Sequence, residues 1–238
     1  CPRQYLYNYI LELGAKDGNP DSMSYGSAIH KACEFAVKFA IENGKYPSSE
    51  VFINQFKKEL QTLPMSTIEQ RKIHIERGEK ALQEYYPQLC ATPISNLFKA
   101  EEKITLELDG VKFKGIIDRI DKNNDGSYTI YDYKTGSAKS EKIICPNGDH
   151  EDYYNQIGLY KYYFEKATNE KVKNTTFIYP EDFTNNLTLE LSEENCLEIE
   201  EKFKSAIQKI RDYEFAPTYD KNACKWCIYK DFCNMEQV

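Results

Sequence analysis

The stretch that most constrains this chain is Tyr128-Thr-Ile-Tyr-Asp-Tyr-Lys-Thr-Gly136, a short strand pattern that carries a carboxylate and an amine where an apolar strand has neither. Strand side chains alternate faces with period two. Ile130, Asp132 and Lys134 therefore share one face, and Thr129, Tyr131 and Tyr133 share the other. Burying Asp and Lys on such a segment costs on the order of several kcal/mol each unless they are paired or bind something. An Asp and a Lys two apart on one face suit a metal-plus-phosphate site. The Asp holds a divalent cation, and the Lys neutralises charge developing on a phosphoryl group or orients an attacking water.

The preceding segment, Gly110-Val-Lys-Phe-Lys-Gly-Ile-Ile-Asp-Arg-Ile-Asp121, alternates and then meets Asn123-Asn-Asp-Gly126. An Asn/Asp/Gly turn between two alternating runs signals a hairpin. Asp118 and Asp132 then come from paired neighbouring strands. Two hard oxygen ligands completed by waters and substrate phosphate suit Mg²⁺ or Mn²⁺. A solvated surface hairpin carries the same charges, so the pattern alone leaves both readings open.

The 238 residues fit one domain with a sizeable core, and 41% hydrophobic with 29% charged residues is ordinary for a globular chain. A net charge of −7 argues against a generally basic nucleic-acid coat while leaving room for a local basic groove. No apolar run reaches the roughly 20 residues of a membrane span, and no signal peptide is visible. Eight cysteines in a chain of this size favour a reducing, cytoplasmic setting over a secreted disulfide framework. A start at Cys1 rather than Met is consistent with a longer native protein.

Hydrophobic periodicity predicts a Tyr-rich amphipathic helix over residues 1–13 with Tyr5, Tyr9 and Leu13 on one face. A loop at 14–20 leads to a helix opening at Ser24 or Gly26 and ending near Gly44, with an Ala28, Ile29, Ala32, Phe35, Ala36 and Phe39 stripe. Pro47-Ser-Ser caps the next helix, with Val51, Phe52, Phe56 and Leu60 inward. A third runs from about Ser66 to Tyr86 and is closed by Pro87. Residues 26–87 thus form a helical block. Strands follow at 99–108, 111–121 and 127–135, then a loop at 139–150 without periodic pattern. A helix at 153–166, short β runs at 175–179 and 187–191, and a helix at 192–213 with Leu197, Ile199, Phe203, Ile207 and Ile210 buried complete the pattern.

Gly115-x-x-Asp118-Arg-x-Asp121 followed by Asp132-Tyr-Lys134-Thr-Gly136 resembles motifs of the PD-(D/E)xK nucleases, and more narrowly their RecB/AddB-type exonuclease branch. The resemblance covers essentially the whole chain. It implies an α/β, restriction-endonuclease-like central mixed sheet flanked by helices, with an N-terminal helical block, in a single 1–238 nuclease domain whose catalytic core spans 97–191. Gly26-x-x-x-His30 matches a family segment that brings a His to the metal; by itself, a lone helical His is more often an ordinary residue. An acid one strand before Asp118 is also expected near the site, Glu102 or, as the alternative, Glu101. Gln156 and Tyr160, four apart on one helical face, match a family helix that packs across the site and contacts nucleic acid. Arg119 and Lys139 are weaker candidates for phosphate contact. The resemblance makes Asp118, Asp132, Lys134, Gln156 and Tyr160 the catalytic set, and His30, Asp118, Asp132 and the Tyr133 carbonyl the Mg²⁺ or Mn²⁺ ligands.

Cys224-x-x-Cys227-x5-Cys233 is a second strong pattern, because a tight Cys-x-x-Cys turn directs both sulfurs toward one centre. With Cys1 as fourth ligand it resembles the iron–sulfur staple of AddB-type subunits and of CRISPR-associated RecB-like nucleases. A [4Fe–4S] cluster there would clip residues 217–238 to Cys1, closing a long loop. Tetrahedral Zn²⁺ and free thiols are the rival readings. The implied activity is metal-dependent DNA hydrolysis leaving a 5′-phosphate, exonuclease before endonuclease, on single-stranded or end-processed duplex DNA. The implied setting is a recombination and repair helicase–nuclease with its helicase upstream or on a partner, or else a stand-alone CRISPR-adaptation nuclease. A nuclease-fold module that binds DNA without cutting, and an interaction domain with no DNA role, are the competing classes.

Overall fold

A computed structural model describes residues 1–13, 20–219, 224–225 and 227–235. The elements in chain order are α1 (Pro2–Tyr5), a π-helical turn (Leu6–Ile10), α2 (Pro20–Asn43), α3 (Ser49–Thr62) and α4 (Ile68–Cys90). Then come β1 (Leu97–Leu108), β2 (Val111–Lys122), β3 (Tyr128–Tyr133), α5 (Glu141–Ile144) and α6 (Glu151–Thr168). The last are β4 (Val172–Ile178), β5 (Leu187–Leu189), α7 (Glu193–Arg211) and a short helix, α8 (Lys230–Met235). The chain divides into two compact units, residues 20–200 and residues 1–19 with 201–238.

In the larger unit the sheet order is β1-β2-β3-β4-β5. Neighbouring strands are antiparallel except β3 and β4, which are parallel. The expected mixed sheet flanked by helices is the fold observed. The parallel pair requires a crossover, and α6 lies within it. The β2–β3 turn closes as its Asn/Asp/Gly composition predicts. Gly126 takes φ +86°, and the Asp125 carboxylate accepts the Ser127 N–H at 3.0 Å.

Helices α2, α3 and α4 bury one continuous core. Ala28, Ile29, Ala32, Ala36, Val37 and Ala40 of α2 meet Phe52, Phe56 and Leu60 of α3, with Leu82, Tyr85 and Leu89 of α4. Tyr133 and Ile178 join this core from the sheet. The run of small residues on α2 lets its backbone approach its neighbours closely. Ser48 caps α3 by accepting the Val51 N–H, and Thr67 caps α4 by accepting that of Gln70.

Several element-level expectations need correction. Helix α2 opens at Pro20, not at Ser24 or Gly26, because Pro suits a first helical position and Asp21 accepts the backbone and hydroxyl of Ser66 at 2.6 and 2.5 Å. Pro87 lies inside α4 rather than ending it; so near the C-terminus its missing N–H removes one hydrogen bond, and Ala91 N–H still closes on the Pro87 carbonyl. Val51 is 45% exposed and Leu197 46% exposed, while Ile199 and Ile207 of α7 are buried as expected, together with Cys196. The 139–150 segment is not wholly loop, since α5 buries Ile144.

In the smaller unit Tyr7 is buried, whereas Tyr5, Tyr9 and Leu13 are exposed. The π-helical turn shifts which positions share a face, so a 3.6-residue reading selects the wrong stripe. Tyr7 packs its ring against Tyr229 and Phe232 at centroid distances of 5.1 and 5.3 Å. The Tyr229 hydroxyl donates to the Asn8 side chain at 2.5 Å.

Gly78 of α4 sits where a Cβ would lie 2.2 Å from Phe56 Cζ. Phe56 is fully buried and its ring meets Tyr25 edge-on, so it has no room to swing away. Gly78→Ala is expected to destabilise the fold by about 1–3 kcal/mol, measured by urea denaturation. Combining it with Phe56→Leu should recover part of that loss.

Candidate active site

The site is built across three strands. Register pairs Ala100 with Arg119 and Glu102 with Ile117, so Glu101 lies opposite Asp118. Pairing of Arg119 with Tyr131, continued by one step, sets Asp118 opposite Asp132. Asp132 is in turn registered with Phe177 of β4. Three acids thus form a row across β1, β2 and β3. Asp118 and Asp132 are 8% and 2% exposed. Glu101 takes φ +54°, a left-handed conformation that a residue with a Cβ holds only under constraint from its surroundings.

Helix α2 brings His30 to this row. Its Nδ1 lies 3.1 Å from Asp118 Oδ1, and Asp118 Oδ2 accepts the Tyr133 backbone N–H at 2.7 Å. One ligand atom each from His30, Glu101 and Asp118 lie within 4.8 Å of one another. Burial pulls the His30 pKa down, but its hydrogen bond to Asp118 and the charges of Asp118 and Asp132 outweigh burial and leave it raised. Burial, with Glu34 and Asp118 nearby, raises Glu101 against the pull of Lys31.

Asp132 is the most perturbed acid of the row. Burial, with the Asp118 charge, lifts its carboxyl to about 6 although Lys134 and His30 oppose the shift. Its Oδ2 forms an ion pair with Lys134 Nζ at 2.8 Å, and this buried oxygen has no further partner. Lys134 donates to Gln156 Oε1 at 2.8 Å, and Gln156 Nε2 donates to the Tyr160 hydroxyl at 3.0 Å. The Lys134 ammonium also sits 4.3 Å from the Tyr153 ring centroid. Burial pulls the Lys134 pKa down, and the Asp132 charge more than restores it. Gly115 permits this packing, because a Cβ there would lie 2.9 Å from Tyr160 Cε1 and 3.1 Å from Ile104.

The structure therefore gathers His30, Glu101 and Asp118 into one cluster, and Asp132, Lys134, Gln156 and Tyr160 into a connected chain beside it. Tyr133 offers its backbone N–H to Asp118 while its side chain enters the helical core. Two candidates have other partners. Glu102 forms an ion pair with Lys99 at 2.5 Å, and the β1 acid facing Asp118 is Glu101. Arg119 is 2% exposed, forks onto Asp121 at 2.8 and 2.6 Å and donates to Thr92, so it has no guanidinium to offer a phosphate. Lys139 is half-buried on the loop beyond Gly136. Tyr153 was not anticipated, although its place three residues before Gln156 puts both on one helical face.

The donor set fits a divalent cation. Hard carboxylate oxygens with one imidazole suit Mg²⁺ or Mn²⁺, and one ligand atom each from His30, Glu101 and Asp118 already converge. In the smaller unit Cys1, Cys224, Cys227 and Cys233 line one cavity as free thiols. A turn from Cys224 to Cys227 brings the pair to one side. Thiols converging on a shared cavity fit a soft metal centre.

Comparisons with known proteins agree with this geometry. Residues 1–234 match the family model of the PD-(D/E)XK nuclease superfamily. A subunit of the ATP-dependent helicase/deoxyribonuclease of Streptococcus agalactiae, in serotypes Ia, V and III, is 25% identical over 159 residues. That match covers 61% of this chain but only 14% of the relative, so the chain spans about a seventh of the length of these curated relatives. A crystal structure of a protein assigned as an exonuclease from Eubacterium rectale superposes over 96% of this chain and 80% of its own, with TM-score 0.54 at 17% identity. No helix among the described residues is long and apolar enough to cross a membrane. The chain belongs to the PD-(D/E)XK nuclease superfamily.

Proposed function

We propose that this chain is a divalent-metal-dependent deoxyribonuclease domain, and that Asp118, Asp132, Glu101 and His30, with the Tyr133 carbonyl, hold the cation. The observation that carries the reading is the row of buried carboxylates, with Asp132 ion-paired to Lys134 at 2.8 Å and set across the strand pair from the His30–Asp118 contact. A divalent ion bound there supplies a polarised scissile phosphate and a bound water of lowered pKa. Lys134 holds its ammonium where the phosphate charge increases and where the attacking water is oriented. Gln156 fixes that ammonium, and Tyr160 fixes Gln156. In that hydrolysis the water oxygen would bond to phosphorus as the bond to the 3′-oxygen breaks, the water giving up a proton to solvent and the departing 3′-oxygen taking one from it, so that a 5′-phosphate and a 3′-hydroxyl result.

The named relatives supply the setting. Their helicase/deoxyribonuclease description supports a nuclease module that works on single strands or ends unwound by a helicase, upstream in the same protein or on a partner, in the cytoplasm during recombination and repair. The exonuclease assignment of the structural neighbour favours cutting from ends. In the smaller unit, Cys1, Cys224, Cys227 and Cys233 are the ligands of a [4Fe–4S] staple. What supports a shared soft-metal centre is that the four cysteines line one cavity as free thiols.

Incubation with single-stranded DNA and Mn²⁺ should give cleavage that a chelator abolishes. Asp132→Ala should lose about two to three orders of magnitude in rate and remain folded by circular dichroism; retained metal-dependent cleavage would refute the assignment. Glu101→Gln should cost about 10–100-fold, whereas Glu102→Gln should leave the rate unchanged. A reversed pattern would return the β1 acid to position 102.

The buried carboxylate also predicts a stability effect in the metal-free protein. The Asp132 pKa of about 6 lies above its unfolded value of roughly 4. Ionisation therefore disfavours the fold, and this group's contribution to stability is lost as pH rises through that window. With chelator at pH 7, Asp132→Asn should be more stable than the parent by about 1–3 kcal/mol, and the gain should vanish below pH 4. Thermal melts across pH 3–8 would measure it.

Freshly purified protein should be brown and carry about four irons per chain, and Cys227→Ser should lose them. Stoichiometric zinc without iron would replace the cluster with a mononuclear site.

A further inference from the structure

Glu181 follows β4 at the Tyr179-Pro-Glu181 corner and takes no part in the phosphodiester chemistry itself. Its side chain is 14% exposed, and its two oxygens accept four hydrogen bonds from three elements. Oε1 accepts the Tyr25 hydroxyl of α2 at 3.0 Å and Arg77 Nε of α4 at 2.5 Å. Oε2 accepts Arg77 Nη2 at 2.8 Å and the Gly136 backbone N–H at 2.6 Å. Arg77 also lies over the Tyr25 ring, 4.6 Å from its centroid.

These partners are the supports of the site rather than a random set. Gly136, at φ +92°, is two residues beyond Lys134, which is itself tied to β4 by its own N–H to the Ile178 carbonyl. Tyr25 is five residues before His30 on α2. The next residue, Asp182, accepts the Ala138 N–H, so the same corner braces the turn after Lys134 at two amides. A carboxylate that binds an arginine bidentately has a defined orientation, which it passes to Gly136 and Tyr25.

We propose that Glu181 is a positioning residue for the metal site: it locks the Thr135–Gly136 turn behind Asp132 and Lys134 to the helix that carries His30. This rests on the nuclease reading of the site. Without it, each half of the site keeps its own secondary structure, but the link that sets the β3 acid at a fixed position relative to the α2 imidazole is cut. Metal affinity, which depends on that spacing, falls before the fold does.

The test uses metal-free and Mn²⁺-titrated protein. Glu181→Ala should reduce the exchange protection of the Gly136 amide in the metal-free state by at least about 10-fold. It should weaken Mn²⁺ binding, read by electron paramagnetic resonance, by about 10–100-fold. Glu181→Gln, with one acceptor oxygen instead of two, should fall between it and the parent. Leu89→Ala, in the same helical core but twelve residues along α4 from Arg77, should lower the melting temperature yet leave Mn²⁺ affinity unchanged. If Glu181→Ala does not fold, Tyr25→Phe and Arg77→Met each remove part of the same clamp and should weaken Mn²⁺ binding in the same direction. Parental Mn²⁺ affinity in folded Glu181→Ala, or an equal loss in Leu89→Ala, overturns the proposal. Asp132→Ala separates the two readings: if it too binds Mn²⁺ as the parent does, the metal site itself is misassigned, whereas loss there with no change at Glu181 refutes only the clamp.

Discussion

Placing ionised groups inside a sheet is the constraint around which the larger unit is arranged. Each one there must find a partner or weaken the fold. Asp118 is satisfied twice, by His30 and by the Tyr133 amide. Lys134 is satisfied by the Asp132 charge, by Gln156 and by the face of Tyr153. Asp132 is the exception, with one buried oxygen that has no partner beyond the Lys134 ammonium. Burial, helped by the Asp118 charge and opposed by Lys134 and His30, keeps its proton on at higher pH than an exposed carboxylate would hold it. A divalent cation, as proposed for this site, would offset the burial cost by stabilising the ionised carboxylate.

The Arg119–Asp121 pair shows why buried charge alone does not mark a site. It lies on β2, the strand that carries Asp118, and is as deeply buried as Asp118 and Asp132. Its guanidinium is fully engaged, forked onto Asp121, bonded to Thr92 and laid over the Tyr131 ring. A bidentate pair that meets its own demand is structural, because no capacity remains for a ligand. Lys134 and Asp132 are also an ion pair, but one that leaves the buried oxygen without a further partner. The distinction depends on which donors are exhausted, not on residue type.

That dependence explains which parts were readable from the chain. Alternation in β2 and β3, the Asn123–Gly126 turn and the shared face of Asp132 and Lys134 are local properties, and they hold in three dimensions. Arg119 also reads locally as a cation next to an acid, but its burial against Thr92 comes from a residue 27 positions away. Glu101 and Glu102 cannot be told apart from adjacency, because the irregularity in β1 near Leu97 and Lys99 and the left-handed backbone at Glu101 decide which acid faces Asp118. Pro87 looked like a helix stop, yet near the end of α4 it removes too little hydrogen bonding to act as one. Tyr7 escaped the helical periodicity because a π turn does not obey it.

The parallel pairing of β3 with β4 ties these observations together. A parallel neighbour forces the chain to leave the sheet at the end of β3, where Lys134 sits, and to return through a crossover. The crossover passes through α6, and this is how Gln156 and Tyr160 come back over the residue the chain has just left. The same crossover ends β4 beside the end of β3, so the corner that follows β4 faces the turn that follows Lys134. Had β3 and β4 been joined as an antiparallel hairpin, neither the Gln156–Tyr160 support nor the Glu181 corner would lie at that end of the strand. The strand that carries the acid and the amine therefore receives its bracing from two segments later in the chain, and one topological choice supplies both.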